Sequence, residues 1–279
     1  KHMTDGDHRD IHGKDLSGFD MKATISWYTE NADDIVGRLP ESSGEEIEYP
    51  IEDKDLVGLD EKEMTALLEL FPENAKQRSI LKKIVGKPPA WFHRDSTPDA
   101  PKPTERRVDA ISPTAVIPSY ADYSEWKKGA PAANIWLFDM EKGVISPEVK
   151  KIILSEGFIH EFAHTLITPI LYSDSYKLRL SEGREVEGMD FLLEFAELAE
   201  QKDPISHYAS TYRGKGGKFE GGKGYDVNRA INEELAETIA AHLLKFVFCK
   251  DVSRGMNPLV DRPEIGKFVE DFLNAEKVS

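Results

Sequence analysis

One segment governs what this chain can fold into. Residues 146–167 read as a helix. At about 100° per residue its apolar side chains fall nearly all round the axis: Val149, Ile152, Ile153, Leu154, Phe158, Ile159, Phe162, Leu166 and Ile167. A helix without a polar face cannot lie on a surface. It has to be the interior element against which other layers pack. Ser146 supplies an N-cap, Pro147 the first helical position and Glu148 an early acid, while Pro169 is expected to end the helix. In the middle of this buried helix stand His160, Glu161 and His164. Buried polar groups without partners are costly, so these three need one.

The string His160-Glu161-Phe162-Ala163-His164 has the spacing His-Glu-x-x-His. Residues four apart lie one turn apart on one helix face, so both imidazoles can reach a single Zn²⁺. Glu161 sits about 100° round from His160 and about 60° from His164, beside the expected metal, where its carboxylate can take a proton from water. Composition alone would produce such a string in roughly two chains in a hundred, and the buried setting makes it more telling than that. The plainer alternative is three core residues hydrogen-bonded to backbone.

A catalytic zinc takes a third protein ligand and keeps one position open. The continuation with Gly and then His at fixed steps is excluded, because Ile167 and Ile170 occupy those places. A glutamate from a later helix is the alternative. Asp190 with Glu194, or Glu187, on an expected helix over residues 186–201 is one location. Glu233 with Glu237, on an expected helix over residues 227–250, is the other. A helical wheel favours the second. Glu234, Thr238, His242, Lys245 and Cys249 form the more polar stripe and are expected to face solvent. Glu233 and Glu237 fall among Ala236, Ala240, Leu244 and Val247.

His160-Glu-Phe-Ala-His164 followed by Glu233-Glu-Leu-Ala-Glu237 resembles the gluzincin metallopeptidases, in particular the anthrax-lethal-factor-like group. The resemblance covers residues 146–244, roughly a third of the chain. It implies Zn²⁺ held by His160, His164 and Glu233, with Glu237 supporting the site from behind. It also implies a Ser-x-Tyr element whose tyrosine points at the reaction centre. Ser206-His207-Tyr208 matches that element and makes Tyr208 the expected catalytic phenol; Tyr212 and Tyr225 are its rivals.

Composition narrows the function classes. Thirty-six basic against 51 acidic residues leave a net charge of −15, which argues against nucleic-acid binding and against anionic membrane surfaces. No apolar run reaches the length of a membrane span. A single cysteine, Cys249, excludes an internal disulfide framework and any multi-cysteine zinc finger. It leaves the compartment open, and export is the side taken here. Lys1-His2-Met3 resembles the remnant of an expression tag.

The 279 residues divide, on sequence, into a polar and helical N-terminal region with a Pro-rich linker over 1–105 and a catalytic domain over 106–279. A helix is expected over residues 61–85, split at Pro72. An extended linker follows over 88–103, then strand-like runs over 108–117 and 134–140. A mobile Gly/Lys-rich loop is expected over 213–224, and a last helix over 262–276. The expected fold is α+β and zincin-like, with a small sheet containing residues 134–140 packed on the buried helix. The expected activity is zinc-dependent hydrolysis of a peptide or protein substrate; a non-catalytic binding module of the same fold is the rival class.

Overall fold

The computed structural model describes residues 21–41, 44, 46–54, 57–86, 119–122, 133–137, 146–173, 175–206, 209, 212–213, 217–219, 227–246 and 258–278; for residues 21–25, 119–122, 134, 136 and 137 it describes the backbone alone. The elements in chain order are α1 (Met21–Glu30), α2 (Ala32–Val36), β1 (Ile51–Glu52), α3 (Glu61–Glu69), α4 (Glu73–Arg78), β2 (Leu81–Val85), β3 (Ser119–Asp122), β4 (Ala133–Leu137), α5 (Pro147–Leu171), β5 (Lys177–Arg179), β6 (Glu185–Glu187), α6 (Gly188–Glu200), α7 (Val227–Leu244), α8 (Pro263–Asn274) and β7 (Glu276–Val278). The class is α+β.

The buried helix is α5. Ser146 caps it by accepting a hydrogen bond from the Val149 N–H at 3.3 Å, and Pro147 follows the cap. Twenty of its 25 residues are buried. Phe158 and Phe162 have no exposed surface, and each such burial contributes about 2–3 kcal/mol. Pro169 does not end the helix, which runs on to Leu171. Proline lacks the N–H that would bond the carbonyl of residue 165. That carbonyl instead accepts from the Ile80 N–H at 3.5 Å, so the break is bridged by the chain entering β2.

Two sheets flank this helix bundle. One has the order β1-β2-β4-β3; β1, β2 and β4 are parallel and β3 is antiparallel at the edge. This sheet draws strands from both sides of residue 105. β3 and β4 pack on α5, as do α2 and α3. The other sheet, β6-β5-β7, is antiparallel.

Three helix expectations need correction, the simplest being the last: the helix expected over 262–276 ends at Asn274, and Glu276 begins β7. Residues 61–85 form α3 and α4 but end in β2. Ser79 leaves α4 in an extended conformation, and Leu81, Ile84 and Val85 are buried in the sheet. Residue 186 belongs to β6, and the helix begins only at Gly188. A Cβ on Gly188 would stand 2.6 Å from Ile170 Cγ2 and 2.9 Å from the Tyr176 carbonyl, so only glycine allows α6 to start this close to α5. The strand expected over 134–140 matches β4, whose residues are 133–137. The linker over 88–103 and the run over 108–117 lie outside the described residues.

α7 packs along α5 more extensively than any other element does. α8 closes the far side of α6 through Phe191 and Phe268, whose rings stack at 4.4 Å. No described helix is long and apolar enough to cross a membrane.

Candidate metal centre

The α5–α7 contact brings two histidines and a glutamate together. His160 and His164 are one turn apart on α5, and their Nε2 atoms are 3.0 Å from each other. Glu233 Oε2, from α7, is 3.5 Å from each of them. Among the described residues this is the one group of three potential ligand side chains.

Hydrogen bookkeeping decides what the group can hold. Asn232 donates from its amide nitrogen to Thr168 Oγ1 at 3.4 Å, which turns its carbonyl oxygen toward His164 Nδ1 at 2.9 Å. A carbonyl accepts, so His164 carries its hydrogen on Nδ1 and neutral Nε2 is a bare lone pair. Glu237 Oε1 lies 3.2 Å from His160 Nδ1, where its charge favours the same tautomer without an aligned hydrogen bond. With both imidazoles neutral in this tautomer, three electron-pair donors face one another, an arrangement that a cation, either a proton or a metal ion, completes.

The spacing fits a metal. Edges of 3.0, 3.5 and 3.5 Å put each donor ~1.9 Å from the centre of their triangle, a spacing that would suit an ion with bonds of about 2.0–2.1 Å. Two imidazole nitrogens and one carboxylate oxygen suit a borderline transition ion better than calcium or magnesium, which favour all-oxygen sites.

The electrostatics agree. Burial alone would lower the His160 pKa, but hydrogen bonds to Glu233 and Glu237 and the charges of Glu237 and Glu161 outweigh it and raise it well above the usual imidazole value. Burial would raise the Glu233 carboxyl, yet the His164 and His160 imidazoles hold it far below the usual carboxylate range. Glu161 is buried on α5. Glu237 Oε2 is buried without a hydrogen-bond partner among the described residues. Three carboxylates, Glu161, Glu233 and Glu237, therefore act on the His160 imidazole, and a proton or a metal ion is the charge they demand.

The other sequence candidates fall elsewhere. Glu187, Asp190 and Glu194 are exposed, and Glu187 pairs with Lys177 at 2.8 Å instead of reaching the histidines. Tyr208 and Tyr225 lie outside the described residues. Tyr212 is buried, with the Arg229 guanidinium 5.4 Å from its ring centre.

The stripe of α7 expected to face solvent is corrected at Glu234 and Thr238, whereas His242 is half-buried, Lys245 is exposed and Cys249 lies outside the described residues. Glu234 and Thr238 are each 1% exposed. The reason is Arg213, 21 residues earlier. Its Nε donates to Glu234 Oε2 at 2.5 Å and its Nη2 to Glu234 Oε1, while the Ile205 N–H also reaches Oε1 at 3.3 Å. The remaining Arg213 donors reach the carbonyls of Ala199, Lys202 and Gly217 at 2.9, 2.9 and 3.0 Å. All five N–H groups are used. The described part of the Gly/Lys-rich segment is thus anchored, with Arg213 and Phe219 buried. Sequence reading also missed Asn232. Its signal was its place beside Glu233, on the side of α7 turned from the polar stripe.

No family model matches the chain, and neither a curated protein nor a solved structure is similar to it.

Proposed function

We propose that this chain is a zinc-dependent metallopeptidase that hydrolyses peptide bonds of a peptide or protein substrate. The observation that carries the reading is the cluster of His160 Nε2, His164 Nε2 and Glu233 Oε2, 3.0–3.5 Å from one another, with a buried glutamate, Glu161, next to the first of them in sequence. A purely structural site has no use for such a base. When bound, zinc supplies a Lewis acid that polarises the scissile carbonyl and makes water acidic enough to attack at neutral pH.

The chain's own groups do the rest. Asn232 and Glu237 hold the two imidazoles in the tautomer that leaves Nε2 bare. The Glu161 carboxylate takes the proton of the attacking water and returns it to the leaving amine nitrogen. The Tyr208 hydroxyl donates to the developing oxyanion. β3 is the antiparallel edge of the sheet and packs on α5, so its outer backbone can pair with an extended substrate.

Glu161→Gln tests the reading. The variant keeps its zinc and loses at least ~10²-fold in turnover on a peptide library. Normal turnover in this variant contradicts the assignment of the base.

A further inference from the structure

One face of α7 carries Arg229, Asn232, Glu233, Ala236 and Glu237, the spacing of a single helical stripe. Exposure rises along it toward the start of the helix. The Glu237 and Glu233 side chains are 9% and 12% exposed, and Arg229, one turn beyond the ligand, is 49% exposed. The stripe that supplies the metal donor thus leads directly out to a cation at the surface.

Arg229 is held there from two sides. Its Nε is 4.0 Å from Glu233 Oε1, the oxygen opposite the one that faces the imidazoles. That is charge proximity rather than a hydrogen bond. Its guanidinium lies over the Tyr212 ring, which fixes the plane of the fork. The position falls in the first turn of α7.

From this arrangement we infer that Arg229 is a specificity-determining residue that takes a carboxylate of the substrate beside the scissile bond. The inference rests on the metallopeptidase reading and deepens it. A planar guanidinium matches a carboxylate with two parallel hydrogen bonds. A chain of net charge −15 repels acidic peptides, and a cation next to the metal donors is what admits one. Peptides offer this group in two places, an acidic side chain and the C-terminus.

Calorimetry on the zinc-loaded protein with thiol-anchored probes separates these sources without needing turnover. Mercaptoacetyl-alanine against its amide probes the C-terminal carboxylate. Mercaptoacetyl-glutamate α-amide against mercaptoacetyl-glutamine amide probes the side chain. The wild type is expected to prefer the acid about tenfold or more in one of the two pairs. That acid/amide ratio falls to about one in Arg229→Gln. Equal binding within both pairs, or a preference that survives in Arg229→Gln, overturns the inference alone. Failure of every probe to bind overturns it together with the metal centre beneath it.

Discussion

Glu233 and Glu234 are neighbours on α7, both carry a largely buried carboxylate, and they point about 100° apart round the helix into different surroundings. Glu234 meets a cation that the chain itself supplies, and every Arg213 donor is matched to an acceptor. Glu233 meets two imidazole nitrogens that, when both rings are neutral with the hydrogen on Nδ1, have none to give. The first environment is complete as it stands. The second is complete only with a proton or a metal ion. Burial of an acid therefore says that a partner exists, and the hydrogen count around it says whether that partner is protein.

Substitutions of the two glutamates sharpen this contrast. The largest effect is expected from truncation on the Arg213 side. Glu234→Ala strands a buried guanidinium and should cost about 3–5 kcal/mol in urea unfolding, while chains that remain folded keep one zinc each. Glu233→Gln should do the reverse, with a smaller stability change and most of the zinc lost. If zinc content follows Glu234 instead, the two sides of α7 have been assigned the wrong way round.

Next come the groups that orient the imidazoles. Asn232→Ala and Glu237→Ala should each weaken zinc affinity by roughly 10–100-fold, read by competition with a chelator. Unchanged affinity in both would mean that the tautomers are set by something else.

Stability against pH gives a third comparison, now between metal-free and metal-loaded protein. In the chelated protein the His160 pKa is raised above its unfolded value. Its contribution is fully present below about pH 6.5 and is lost as pH rises through the folded value. The metal-free chain should therefore lose stability on going from pH 6.5 toward 9, whereas the loaded chain should release zinc as pH falls. Urea midpoints of the chelated protein that rise over that range would contradict the electrostatics of the site. The smallest effect belongs to Asp190→Ala and Glu194→Ala, exposed on α6, which should change stability by no more than about 0.5 kcal/mol and leave zinc content alone.

Much of the centre was legible because it lies on one long helix. Ser146, Pro147 and the all-round apolar pattern define α5, and His160, Glu161 and His164 are placed by helical spacing alone. Glu233 and Glu237 could be read because acids on an apolar stripe stand out. Other features were hidden for physical reasons. β2 is only five residues, Leu81-Lys82-Lys83-Ile84-Val85, and follows a helix after a gap of two residues, too short for its period to separate strand from helix. The Glu234 stripe looked solvated because its counter-charge, Arg213, sits in a Gly/Lys-rich stretch that local reading treats as loop. Long-range pairing of this kind leaves no periodic trace. Asn232 was passed over because an amide beside two acids looks like ordinary helix polarity, and its role emerges only when His164 is brought opposite it.

X-ray absorption at the zinc edge of the purified, zinc-loaded chain tests the central claim most directly. The account expects one zinc per chain with nitrogen and oxygen donors at about 2.0–2.1 Å, imidazole scattering from two histidines, and no sulfur at about 2.3 Å. That signature should vanish in His160→Ala and in His164→Ala. Zinc bound at full occupancy in both variants, or a spectrum without imidazole scattering in the parent, would contradict it.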